Sequence, residues 1–157
     1  MASLFDTTRN FSIYAIPAAW VIAFLPHAYA ASQSKSFDNR SPRTYTQTLE
    51  QDQTISKANK SRIIRAEAAQ TNGFKNLPLF ATAVLAGNLA GLPASTLNTL
   101  SGGYLISRVL YNLVYINNTT EGVGHLRSVV FLAGIGQIFT LFVKSGNVLR
   151  ERAANLL

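Results

Sequence analysis

Three stretches of this chain contain no Asp, Glu, Lys or Arg: residues 11–34, 76–107 and 128–143. A helix crossing a bilayer needs about 20 mainly apolar residues, and a soluble domain of 157 residues rarely carries three such runs. In hydrocarbon every backbone N–H and C=O must be satisfied internally, which leaves helices or a closed barrel. The runs are too long for barrel strands and lack their period-two alternation. The chain therefore reads as an all-α, multi-pass integral membrane protein, and its length fits one domain.

Only 13% of the residues are charged and 48% are hydrophobic, yet the net charge is +7. With apolar spans present, that charge points to phospholipid headgroups or a small anionic ligand, and away from nucleic acid. There is no cysteine. Any thiol chemistry must then come from a cosubstrate, and no cysteine-ligated metal belongs to the chain.

Taken in order, the pattern predicts helices over about 11–31, 62–91, 94–116 and 125–143, with a polar connection over 32–61. The first run competes with a signal peptide, because Ala28-Tyr29-Ala30 resembles a small-residue cleavage site. It is long for such a peptide, contains Pro17 and follows no basic cluster, so it is assigned as a span. His27 near its end is expected to be a satisfied histidine at the interface, not a metal ligand. The connection holds Lys35, Asp38, Arg40, Pro42, Arg43, Glu50, Asp52, Lys57 and Lys60 and reads as a solvated segment whose later part is helical.

The second helix begins with charged and amide side chains and becomes apolar after Pro78. Gly87 and Gly91 form a GxxxG spacing that would admit a close neighbour. Pro93 starts the third helix, with Ser95 or Thr96 as candidate caps. On that helix Tyr104, Arg108, Tyr111 and Tyr115 lie at i, i+4, i+7 and i+11, a single face at 3.6 residues per turn. The tail after Lys144 is polar and is expected to leave the membrane. The sequence shows no internal repeat or pair of broken helices of the kind transporters use.

Four spans place the 32–61 connection, Arg62, Arg65, the 117–124 link and Arg127 on one side, with Arg9, Lys144, Arg150 and Arg152 on the other. The positive-inside rule favours the first side as cytosolic. Of the Asn-x-Ser/Thr triplets at Asn10, Asn39, Asn59, Asn117 and Asn118, only the first would then lie across the membrane.

On the second helix Arg65, Ala69, Asn72 and Asn76 share a face, with Ala68 and Lys75 at its edge. Together with Arg108, Tyr111, Tyr115 and Arg127 they offer guanidinium, amide and phenol groups at the cytosolic mouth. Ionisable residues in spans usually face the bundle interior and a partner, and guanidinium suits carboxylate through a bidentate fork. With Glu67 pointing away from Asn72, the set has no carboxylate placed for hydrolysis. The plainer account makes Arg65, Lys75 and Arg127 headgroup anchors and the tyrosines an interfacial belt.

The run Arg65-Ala66, Asn72 and Asn76-Leu77-Pro78-Leu79-Phe80 resembles the second-helix signature of the MAPEG family, the membrane-associated proteins of eicosanoid and glutathione metabolism. Arg108-x-x-Tyr111-x-x-x-Tyr115, followed by Arg127-Ser128, resembles that family's later elements. The resemblance covers the whole chain. It implies a four-helix bundle assembled as a homotrimer in the endoplasmic reticulum, with glutathione between neighbouring subunits near the cytosolic face. It further implies transferase or peroxidase action on lipophilic electrophiles or lipid hydroperoxides. Asn72 matches a glutathione-binding asparagine, with Arg65, Asn76, Arg108 and Tyr115 as further binding candidates. Arg127, with Ser128 and Tyr111, matches the group that stabilises the thiolate, and a cation beside a thiol does lower its pKa. Two positions depart from the signature: Ala68 stands where an arginine is expected and Lys75 where a glutamate is. Either Arg65 substitutes one turn earlier, or the chain is a non-catalytic, partner-binding membrane subunit.

Overall fold

The computed structural model describes residues 9–34, 37–38, 40–41 and 44–155. Lys35, Asn39, Pro42 and Arg43 of the connection lie outside the described residues, as does the segment before Arg9. Among the described residues the chain forms five α-helices and no strand: α1 Ala15–Ser32, α2 Tyr45–Gln51, α3 Lys57–Leu89, α4 Ala94–Ile116 and α5 Glu121–Ala154. A 3-10 turn, Ser12–Tyr14, leads into α1. Asn10 holds that turn by accepting from the Ser12 backbone and hydroxyl at 3.0 and 2.7 Å.

Helix boundaries follow local chemistry. Ser56 accepts from the Asn59 N–H at the start of α3, and Thr120 from that of Val123 at the start of α5, each at 3.4 Å. These side chains satisfy donors that the first turn leaves free. α3 ends in a Schellman turn, with Leu92 N–H to Gly87 C=O and Gly91 N–H to Asn88 C=O, both 3.0 Å. Gly91 supplies the positive φ, 68°, that this turn requires. The expected GxxxG therefore splits into two roles. Gly87 meets α4 and α5, where a Cβ would come within 2.7 Å of a Leu97 methyl, whereas Gly91 terminates the helix. Pro93 itself caps α4, without a side-chain bond, so neither Ser95 nor Thr96 occupies that position.

α4 spans the expected 94–116, whereas α1 and α3 pass their predicted limits at one end and α5 at both. α3 starts at Lys57, and α5 runs on to Ala154. The tail after Lys144 thus continues the helix. Ser145 is buried and bonds to Leu141 C=O at 2.6 Å, and Arg152 stands over Gly91 at the α3 terminus. A cation there complements the negative end of the α3 dipole.

α3 packs against α1, α4 and α5, and α4 packs against α1 and α5. The main core joins Ala15 and Ala19 of α1, Phe80, Ala83 and Val84 of α3, Leu97 and Tyr104 of α4, and Ile138 and Leu141 of α5. Small residues allow this closeness: a Cβ on Gly73 would lie 2.8 Å from that of Ala23. A second core holds Ala30, Tyr45, Leu49, Ile63 and Ala66. The connection is therefore not simply a solvated loop. Tyr45 and Leu49 anchor α2 under α1 and α3, and the Tyr45 hydroxyl donates to Ala30 C=O at 2.8 Å. Burial raises the Tyr45 phenol above its usual pKa. Asp38, also in the connection, is lowered by its bonds to the Arg40 side chain and backbone.

Pro26 lies inside α1 and cannot donate to the carbonyl of Ile22. Asn112 of α4 supplies the missing donor, its side-chain N–H reaching Ile22 C=O at 2.9 Å. Two helical stretches among the described residues are long and apolar enough to cross a membrane, 12–32 and α5. α3 and α4 fall outside that pair because charges and amides dilute the first half of α3, and Asn, Ser, Tyr and Arg108 dilute α4.

Candidate functional site

The face anticipated on α4 is realised as a run of stacked cations and rings that passes onto α5. Arg108 is buried, 3% exposed. Its guanidinium carbon lies 5.3 Å from the Tyr104 ring, 4.8 Å from Tyr111 and 5.3 Å from Phe131 of α5. Arginine over aromatic faces is attracted by the ring quadrupole. One terminal N–H donates to Phe131 C=O at 3.3 Å, while Nε and Nη1 are buried without a hydrogen-bond partner among the described residues. Tyr104 in turn stacks on Phe80 of α3, 4.0 Å between centroids and 15° between planes.

Gly134 makes the cage possible. A Cβ at that position would fall 2.5 Å from the Ser107 hydroxyl and 2.7 Å from an Arg108 nitrogen. A cavity of about 10 Å³, bordered by Arg108, Asn112 and Tyr104, lies between α1, α3 and α4. That is close to the smallest space able to hold one water.

From Tyr111 the run continues outward. Tyr111 meets Tyr115 edge-on at 5.4 Å and 69°, and the Arg127 guanidinium lies 4.7 Å over the Tyr115 ring. Arg127 is half-buried, and among the described residues the ion pairs are His27–Glu67 and Asp38–Arg40. No carboxylate there neutralises Arg127. Ser128 next to it is exposed and bonds within its own helix, to Gly124 C=O at 3.2 Å.

The α3 candidates do not join this run within one chain. Asn76 donates to the backbone and side-chain oxygens of Asn72 at 2.8 and 3.3 Å, so the two amides engage each other. Lys75 is exposed and Ala68 half-buried. Arg65 donates to Ile116 C=O at 3.0 Å and so closes the last turn of α4. Arg65 also borders an open groove of about 550 Å³ with Ser61 and the 118–121 link. His27 pairs with Glu67 at 2.8 Å, the satisfied state expected for it, and this contact also draws Glu67 away from the amide pair.

Phe131 and Gly134 escaped sequence reasoning. Their position one helix across from Arg108 depends on how α4 and α5 meet, and the only local signal was an aromatic and a glycine separated by three residues in the last apolar run.

Chemically, the arrangement provides an uncompensated cation on an aromatic support at one end of the bundle, backed by a second guanidinium enclosed in the interior. Such a cation favours the ionised form of an anionic or acidic ligand. The model of the MAPEG family matches residues 11–147. Comparison with the curated proteins and with the solved structures gives no match.

Proposed function

The chain belongs to the MAPEG family, and from that premise we propose that it is a glutathione-dependent membrane transferase or peroxidase acting on lipophilic electrophiles or lipid hydroperoxides. The observation carrying this reading is Arg127, half-buried over Tyr115 and unpaired with any carboxylate among the described residues. A guanidinium so placed lowers the pKa of a nearby thiol and keeps the nucleophilic form populated.

The donor set fits glutathione. Arg127 and Tyr115 would receive the sulfur end, and the Asn72 amide suits the peptide portion. Because Asn72 and Arg127 belong to separate networks in one chain, the complete site draws α3 from one subunit and α4 with α5 from its neighbour. The proposed assembly is a homotrimer, all four long helices spanning the endoplasmic reticulum membrane with the α2 side cytosolic. Glutathione would supply a thiol whose sulfur, its proton lost to solvent, bonds an electrophilic carbon as that carbon's leaving group departs with its electron pair, or takes the terminal hydroxyl of a hydroperoxide as the O–O bond breaks, water protonating the leaving alkoxide and a second glutathione reducing the resulting sulfenic acid to the disulfide with loss of water. Arg127 holds the sulfur's charge, Tyr115 fixes the guanidinium plane, and Tyr111 with Ser128 borders the reacting position.

Calorimetry on the purified oligomer at millimolar glutathione tests the proposal. Binding should be measurable and should weaken sharply in Arg127→Ala. A natural-sequence protein that takes up no glutathione would overturn it.

Exposed Lys75 and the absent arginine at Ala68 favour a second reading, a non-catalytic member that serves as a membrane subunit for a partner. In that case the double change Ala68→Arg and Lys75→Glu should create glutathione binding that the natural chain lacks. Equal binding before and after would eliminate this alternative.

A further inference from the structure

A groove of about 260 Å³ runs along the outside of the bundle between α1 and α4. Leu25, Pro26, Tyr29, Val109, Leu113 and Ile116 line it, and Leu25, Val109 and Leu113 are exposed. Asn112 is the polar residue in its floor, but its amide is committed to the carbonyl of Ile22. An occupant therefore finds mostly apolar contact along the groove, with the Tyr29 phenol toward the end where Arg62 stands.

One end is different. Arg62, exposed at the start of α3, places its guanidinium carbon 5.9 Å from the Tyr29 ring and donates once, to the Asn117 side chain at 2.6 Å. A guanidinium carries five N–H donors, so several remain for an outside acceptor. Among the described residues no acidic side chain lines the groove. We propose that this groove binds an anionic phospholipid, with one acyl chain between α1 and α4 and its phosphate on Arg62.

The chemistry selects that occupant. A soluble peptide would leave its backbone groups without partners along the apolar length. A phospholipid is apolar over the groove and anionic at the end where Arg62 stands, and guanidinium binds phosphate oxygens by charge-assisted hydrogen bonds. The proposal goes beyond the glutathione reading and is independent of Arg127.

The test is native mass spectrometry of the full chain, delipidated and then incubated in detergent with equal phosphatidylglycerol and phosphatidylcholine of matched acyl chains. One retained lipid per chain is expected, with phosphatidylglycerol preferred on the order of tenfold, because the phosphate of phosphatidylcholine carries its own ammonium counter-charge and only phosphatidylglycerol brings a net negative charge to Arg62. Arg62→Gln should remove the preference, and Leu113→Trp should lose both lipids by filling the groove. The natural chain lacks cysteine, so Leu113→Cys, alkylated after folding with a bulky apolar maleimide, gives the same block should the tryptophan variant misfold. Equal retention of the two lipids, an undiminished preference in Arg62→Gln, or unchanged retention in the blocked groove would each overturn the proposal. So would spontaneous disulfide formation between copies through Cys at 113, which would make the occupant another subunit.

Discussion

Arg108 and Arg127 are the same residue type in one run of rings, yet their surroundings give them different work. Arg108 is enclosed by Tyr104, Tyr111 and Phe131 with two nitrogens lacking acceptors. Arg127 rests on one ring and is half-buried. Neither has a carboxylate partner among the described residues. Burial and ring count, not residue identity, separate an arginine that organises the interior from one that can meet a ligand. In the interior the cation is fixed by packing, and exchange for a ligand would require the cage to open.

The largest expected effect breaks the comparison at the open end. Arg127→Ala should reduce glutathione-dependent turnover by about 10²–10³-fold, as loss of one group aimed at developing negative charge typically does, while thermal unfolding in detergent stays unchanged. Arg108→Ala should do the reverse in kind, lowering stability by about 3 kcal/mol through a cavity and three lost cation–ring contacts. Arg108→Met sharpens the point. It retains much of the volume and removes the buried, partly unpaired charge, so its stability should lie within about 1.5 kcal/mol of the natural chain. Denaturant unfolding of the two variants decides whether the cage needs the charge or only the bulk.

Gly134→Ala comes next, because its methyl would press on Ser107 and Arg108. The overpacking should cost about 1–3 kcal/mol, measurable as a lower unfolding midpoint, and should leave the Arg127 end unaltered until the cage shifts. The smallest effect serves as a control far from both arginines. Tyr45→Phe removes the bond to Ala30 C=O and should cost about 1 kcal/mol. The Tyr45 phenol has a raised pKa in the folded chain, so the folded state binds its proton more tightly than the unfolded state. Its contribution is complete below the ordinary tyrosine value of about 10 and declines as pH rises through that value toward the folded one. Unfolding curves against pH should show that alkaline decline in the natural chain and a reduced one in Tyr45→Phe.

Much of the helical layout was legible because apolar runs and helix stops are local. α4 lies between Pro93 and the Asn117 turn, and its bounds match the pattern. α5 outran its predicted end because polar residues after Lys144 do not by themselves stop a helix. Ser145 bonds back into it, and Arg152 reaches across to the Gly91 turn. The docking of α2 was hidden for a related reason: Tyr45 and Leu49, one turn apart, look like stray apolar residues in a polar segment until Ala30 and Ile63 cover them. Of the candidate site, the spacing on α4 foretold the shared face of Arg108, Tyr111 and Tyr115. The mutual engagement of Asn72 and Asn76, and the use of Arg65 to close α4, required knowledge of which partners were in reach. Side-chain geometry of that kind is settled by tertiary contacts between helices and leaves no periodic trace.

The bond from Asn112 to the Ile22 carbonyl also sets an order of events during synthesis. α1 emerges first, and Pro26 leaves that carbonyl without a helical donor. The residue that mends it is made 90 positions later. At about 5–20 residues per second, the interval is on the order of ten seconds. Throughout that time an isolated α1 in hydrocarbon would expose a bare acceptor, a state costing several kcal/mol. Burying α1 in hydrocarbon is thus less costly once the α4 segment is beside it, which couples the membrane integration of two helices far apart in the chain.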